Sequence, residues 1–363
     1  MATANKSNKS NKSNKSNKSS PDDDELAALG DGSSITLSAA LQSTMLALKG
    51  FPVGVLATAL DRPDVDTSFR RMNDRHRMHL LVKDLLEEVT VQPTNATETD
   101  RSVAVRKGGT TLLTLRLDTG PATLPFWQAQ IDAVRAQKWN RDDRLAEIVL
   151  QQTDILSFLA LAVPTPPETR RWLLTLLEAT QEVAFRVATE AKAVFEMPRP
   201  EVLAADIAPI IQTPAHSAFP SGHATEAFAA ATVLGALYPS RLANLRLIAA
   251  RIAVNRGFAG VHCPVEHLAG AVLGDILGNL IVERVFGPSM LANAQMPPPV
   301  IVAGTTSNTP SWSDVEEYAA KFGILQVPAA PVCNPTALAA LPASHPVMLA
   351  RLAHQVGNEV LGN

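Results

Sequence analysis

Phe219-Pro220-Ser221-Gly222-His223-Ala224-Thr225 reads as a turn that opens an apolar helix, and the fold class follows from that reading. Serine is a favoured N-cap, and residues 221–238 then carry apolar side chains at three- and four-residue spacing. The same period recurs on both sides. Segments 35–60, 76–92, 124–139, 142–162, 165–196, 240–255 and 264–286 are each expected to be helical. In the fifth of these, Thr165-Pro166-Pro167-Glu168 has the pattern of a capping box, Leu173, Leu176, Leu177, Thr180, Ala184 and Val187 trace one face, and Pro198 stops the helix. Ser102 to Asp118 alternates around Gly108-Gly109 and reads as a β-hairpin. The expected fold is all-α, a helical bundle with one small β-hairpin inserted.

Composition bounds what such a bundle does. The 363 residues are 46% hydrophobic and 18% charged, enough for a substantial core and typical of a globular chain. A formal net charge of −3 lacks the basic footprint of a nucleic-acid binder. Cys263 and Cys333 make no disulfide framework and no zinc cluster. Five copies of Asn-Lys-Ser, followed by the acidic run Asp22 to Glu25, give residues 1–34 the composition of a disordered tail. The helical domain is expected over 35–290. A proline-rich extension over 291–363, with short helices near 312–323 and 345–360, is expected to pack on it.

A membrane span needs about 18 to 20 consecutive apolar residues. Leu268 to Val285 comes nearest, but it contains Asp275, Asn279 and Glu283, which reads as an amphipathic helix of a soluble protein. With no apolar leader at the N-terminus, the expected location is the cytoplasm, with no integral membrane segment.

Three clusters carry the chemistry. Lys192 and Arg199-Pro200 bring two cations to a helix end and the turn after it. Ser221, Gly222 and His223 lie at a helix start, where backbone N–H groups lack intrahelical acceptors and the dipole favours an anion. Arg256, His262 and Glu266 lie on a loop that enters the next helix at Pro264. Together they describe an oxyanion cradle: Lys192, Arg199, Arg256 and the amides of Ser221 and Gly222 hold the oxygens, and two imidazoles flank the central atom. His262 attacks or ligates that atom and His223 exchanges a proton with the opposite oxygen. Glu266, four residues on, holds one nitrogen of His262 so that the other faces the anion. His216 is placed on the pocket rim. Cys263 reads as a packing residue, and Arg70, Arg71, Arg75 and Arg77 with His76 and His79 read as a solvated basic face.

The three clusters resemble the signature of the type 2 phosphatidic acid phosphatase (PAP2) and vanadium haloperoxidase superfamily, across residues 190–280. That pattern is Lys, six residues, Arg-Pro; then Pro-Ser-Gly-His; then Ser-Arg, five residues, His, three residues, Asp. Two positions depart from it: Asn255 stands where the family has serine, read as a change in local capping, and Glu266 stands where it has aspartate. The resemblance implies a fork. In its haloperoxidases the cradle holds vanadate, ligated by the residue matching His262, and hydrogen peroxide oxidises a halide. In its phosphatases the same histidine forms a phosphohistidine from a phosphate ester, the residue matching His223 protonates the leaving alcohol, and no metal is needed.

A helical lead-in like that of bacterial haloperoxidases, and His216 where bromide-using relatives carry a second histidine, put the haloperoxidase reading first. The phosphatase is the alternative. A non-catalytic phosphate- or vanadate-binding protein is the third reading, and a homodimer stays open.

Overall fold

The computed structural model describes residues 65–287, 300–304, 310–322, 333, 338–339 and 341–362. The Asn-Lys-Ser tail and the helix expected over 35–60 lie outside the described residues. The chain divides into two compact units, Met1–His79 and Leu80–Asn363.

In the first unit, α1 (Val65–Arg71) leads into the start of α2 (Asp74–Leu85). Arg77 is not on a solvated basic face. Its side chain is only 1% exposed and donates to the carbonyls of Phe69, Arg70 and Met72 and to the Asp74 carboxylate.

In the second unit, the helix expected over 76–92 stops at Leu85, and β1 (Val89–Ala96) begins after Glu88 takes a left-handed conformation. β2 (Asp100–Lys107) and β3 (Thr110–Asp118) continue an antiparallel meander, and β4 (Val300–Ala303) joins β3 in parallel, giving the order β1-β2-β3-β4. The expected hairpin is thus the centre of a four-stranded sheet. Leu113, Leu115 and Leu117 of β3 are buried at a period of two, whereas the central β2 is buried on both faces from Ser102 to Val105. The flanking strands show neither pattern: β1 is mostly exposed, and β4 is four residues long.

α3 (Leu124–Ala136) follows the sheet. The single helix expected over 142–162 is broken into α4 (Leu145–Leu150) and α5 (Leu156–Leu159), because Asp154 accepts from the backbone N–H and hydroxyl of Ser157 and starts a new turn. α6 (Arg171–Phe195) is the long core helix. Thr165 to Glu168 lies outside it and does not cap it. Its first turn is capped instead by a carboxylate from far along the chain: Glu359 accepts from the N–H groups of Trp172 at 2.9 Å and Leu173 at 2.8 Å. The helix ends before Pro198, at Glu196, whose φ of 50° closes it.

After the short α7 (Pro200–Leu203), three helices form the centre: α8 (Gly222–Leu237), α9 (Leu242–Phe258) and α10 (Pro264–Phe286). α10 meets α8 through Gly270, Gly274 and Gly278. A Cβ at Gly270 would lie 2.5 Å from the Ser221 carbonyl oxygen, and one at Gly274 would lie 2.5 Å from that of Thr225. Only glycine permits this backbone contact, which seats the start of α8 against the start of α10. α11 (Trp312–Phe322) and α12 (Val347–Leu361) complete the unit.

Asp275 does not mark a wet face on α10. It is 4% exposed and accepts from Arg246, Thr232 and Tyr318. By length and composition α10 is also apolar enough to cross a membrane, and 83% of its most apolar window is buried inside the protein. That burial is what a core helix shows, so α10 is part of the packed centre.

Candidate active site

His262 sits on the loop between α9 and α10, nearly enclosed. Its Nδ1 donates to Glu266 Oε2 at 2.6 Å. Nε2 therefore carries the lone pair, and it faces Arg199 Nη1 at 2.9 Å, a group that only donates. Burial, then the Arg199 and Lys192 charges, hold His262 well below the usual histidine range, so the ring stays neutral and Nε2 stays basic in form.

Glu266 is set by the first turn of α10. The same Oε2 accepts the Cys263 backbone N–H at 3.1 Å, which makes a capping box around Pro264. Its extra methylene, relative to aspartate, is taken up by this double contact. Burial pushes its carboxyl up to about 7, and Oε1 is buried with no hydrogen-bond partner.

Glu266 lies near enough to Lys192 and Arg199 for its charge to favour theirs. Lys192 Nζ donates to the Ser217 carbonyl at 2.7 Å, and Arg199 donates to the carbonyls of His216 and Val261 as well as to His262. Arg256 Nη2 donates to the Ile148 carbonyl at 2.8 Å, while its Nε and Nη1 are buried with no acceptor. None of the three forms an ion pair among the described residues. Burial, then Arg199, lowers Lys192 to about 7, and burial lowers Arg256 to about 10.

At the start of α8 the two expected amides differ. Ser221 N–H donates to the Glu266 carbonyl at 2.9 Å, so it supports the loop and is not offered to an anion. Gly222 opens the helix beside Lys192, where an added Cβ would lie 4.0 Å from Lys192 Cε. His223 Nε2 donates to the Gln151 carbonyl at 3.0 Å. It lies near enough to His262 for its charge to lower that ring's basicity.

His216 stacks no closer than the rim: Nδ1 is 3.2 Å from Arg199 Nη2, and the residue lines a cavity of about 710 Å³ together with Lys192, Arg199, Glu201 and Ser217. Cys263 is buried and its thiol is pushed well up by burial, consistent with packing. Among the described residues, no group of three or more His, Cys, Asp or Glu side chains could hold a metal ion.

Sequence reasoning missed several contacts that brace this site. Asn255 does more than cap locally. Fully buried, it accepts from Arg144 Nη1 at 2.9 Å and donates through Nδ2 to Glu147 Oε2 and Gln151 Oε1, each at 2.9 Å. His267, to which the sequence assigns no role, also packs at the site. It is fully buried between His262 and Trp312, with ring centroids 5.4 and 5.5 Å away, and neither nitrogen has a partner. Burial holds it down at about 3.

Comparison with known proteins bears on the same segment. Residues 172–287 match the model of the PAP2 superfamily. The decaprenylphosphoryl-5-phosphoribose phosphatases of two Mycobacterium tuberculosis strains are each 35% identical over 136 residues, 37% of this chain and 71% of theirs. A solved structure described as the first transmembrane PAP2 type phosphatidylglycerolphosphate phosphatase, from Bacillus subtilis, is 20% identical with a TM-score of 0.35, over 44% of this chain and 85% of that one. The cytoplasmic location expected from the sequence is not supported by these comparisons and is withdrawn.

Proposed function

Because the chain belongs to the PAP2 superfamily, we propose that it is a metal-independent phosphatase that hydrolyses phosphate esters through a phosphohistidine. The named relatives are phosphatases, which supports this alternative over the haloperoxidase reading that sequence hints had put first. The observation that carries the proposal is His262. Its Nδ1 is locked on Glu266 at 2.6 Å, which leaves the Nε2 lone pair facing the guanidinium of Arg199.

In the proposed reaction a phosphoryl group takes up the donors of Arg199, Lys192, Arg256 and the Gly222 amide. Arg199 Nη1 transfers its hydrogen bond from His262 Nε2 to a phosphoryl oxygen, and that frees the nucleophile. Nε2 attacks phosphorus and the bond to the ester oxygen breaks. His223 delivers a proton to that oxygen, so the alcohol leaves neutral. Glu266 stabilises the positive ring of the phosphohistidine. Water then gives its proton to His223 and attacks phosphorus, the N–P bond breaks, and inorganic phosphate leaves. Vanadate shares the charge and shape of the phosphoryl group and would be held by the same donors, with His262 Nε2 toward the metal. The relatives' substrate, a phosphorylated ribosyl lipid by name, supports a phosphate monoester on a bulky alcohol, and the adjoining cavity of about 710 Å³ has room for one.

The test is phosphate release from p-nitrophenyl phosphate in the presence of a chelator. Release that vanadate inhibits, with acid-labile phosphate trapped on the protein, is the expected result. Bromination of a dye with vanadate and peroxide, without phosphate release, would return the haloperoxidase reading to first place. Phosphate binding with neither activity would leave the non-catalytic one.

A further inference from the structure

Gln151 lies on the turn after α4, outside the family-matched segment, yet it touches both ends of the anion cradle. Its backbone carbonyl accepts His223 Nε2 at 3.0 Å. Its side-chain Oε1 accepts Asn255 Nδ2 at 2.9 Å and Arg256 Nη2 at 3.4 Å. The residue is 1% exposed, and its Nε2 is buried with no partner.

The orientation of that amide is fixed by its neighbours. Arg144 only donates, so the oxygen of Asn255 must face it. The Asn255 nitrogen then donates to the Glu147 carboxylate and to Gln151. Gln151 therefore presents oxygen to two donors, and flipping it would set N–H against N–H. Nε2 shares a carbon with Oε1, so it lies beside Arg256, whose Nε and Nη1 also lack acceptors. An orphaned donor in a buried place is costly. Three of them on two side chains in contact, with no acceptor among the described residues, call for an anion.

We infer that the Gln151 side-chain amide is a further oxyanion donor of this site, binding a phosphoryl oxygen next to Arg256. The inference deepens the phosphatase reading and rests on it for turnover, but not for binding. A short turn of sequence preceding the signature thus supplies a ligand contact and at the same time seats the ring of His223.

The experiment is calorimetric titration of inorganic phosphate into the full chain. Gln151→Met is expected to weaken binding about tenfold to a hundredfold, the worth of one hydrogen bond to a charged group. Gln151→Glu keeps the acceptor for Asn255 but replaces the donor, so binding should be weakest at pH 8 and recover toward pH 5 as the carboxyl gains a proton. Should Gln151→Met not fold, the pH dependence of Gln151→Glu beyond that of the unaltered chain decides the matter: no excess recovery toward pH 5 overturns the inference. Phosphate affinity unchanged in both variants, while Arg256→Met has lost it, overturns the inference and leaves the phosphatase reading standing. An unaltered chain that binds phosphate but hydrolyses no ester overturns the phosphatase reading, and the titration still decides on Gln151. A chain that binds no phosphate overturns both.

Discussion

Helix α9 carries two buried arginines that live opposite lives. Arg246, 3% exposed, places two nitrogens on the Asp275 carboxylate at 2.7 and 2.8 Å and its Nε on the Ala319 carbonyl at 3.0 Å. Tyr318 donates to the same carboxylate, and the guanidinium lies over the rings of Phe228 and Tyr318. Burial works against its charge, yet Asp275 outweighs burial and the net shift is upward. Arg256, 1% exposed and one helix end away, has a single close acceptor and no carboxylate, and burial lowers it to about 10. A buried charge with every donor answered holds the fold; one with donors left over is held for something else.

The sharpest break in that comparison comes at His262, the proposed nucleophile. His262→Ala should lower phosphate release by about 10⁴-fold or more, since no covalent intermediate can form. If most of the turnover survives, the assignment of the unsatisfied end is wrong.

The two arginines can then be set against each other. Arg256→Met should cut kcat by about 10²- to 10³-fold while the melting temperature holds or rises, because an unpaired charge has been removed. Arg246→Met should do the reverse. Asp275 is left buried and alone, at a cost of about 3–5 kcal/mol in denaturant unfolding, with kcat retained in the folded fraction. Removing both partners, as Arg246→Met with Asp275→Leu, should recover most of that stability. A double variant as unstable as the single one would show that the cluster does more than pair charges.

Next in size is the response to pH. Lys192 is held at about 7, so it is charged below that value and neutral above it. Anion binding favours the charged form, so kcat/KM should fall on the alkaline side by about tenfold per unit. Glu266, also held near 7, works in the other direction, since it supports a positive His262 only when ionised. The apparent values belong to the pair. Lys192→Met should lower the maximum and flatten the alkaline limb; a limb that persists points to another group.

The smallest expected effect is at Glu266. Its oxygen reaches both His262 and the Cys263 amide, so Glu266→Asp, although it restores the family residue, should lower kcat by about tenfold through lost orientation. An increase would mean that the longer side chain is a compromise.

How far the sequence carried differs between these regions for a physical reason. Lys192 with Arg199, His223, and Arg256 with His262 were legible as candidates because each group sits within seven residues at a helix end, where spacing along the chain is close to spacing in space. The braces were not. Arg144, Glu147 and Gln151 have the polarity of a helix surface, and their partners stand more than a hundred residues away. Ser221 carried the pattern of an anion-binding amide, but tertiary contact with Glu266 claimed its N–H. Asp275 looked like a solvated position because its partner, Arg246, sits on a different helix. Thr165 to Glu168 had the letters of a cap without the geometry, since α6 begins later and borrows its cap from α12.

That borrowed cap ties together places that seem unrelated. α6 runs about 37 Å from Arg171 to Phe195. Glu359 steadies one pole of this rod and Lys192 projects from the other. Trimming the chain before residue 359, or fusing a bulky tag where it would crowd that carboxylate, should therefore be felt in phosphate affinity as well as in melting temperature, even though every catalytic side chain is left untouched.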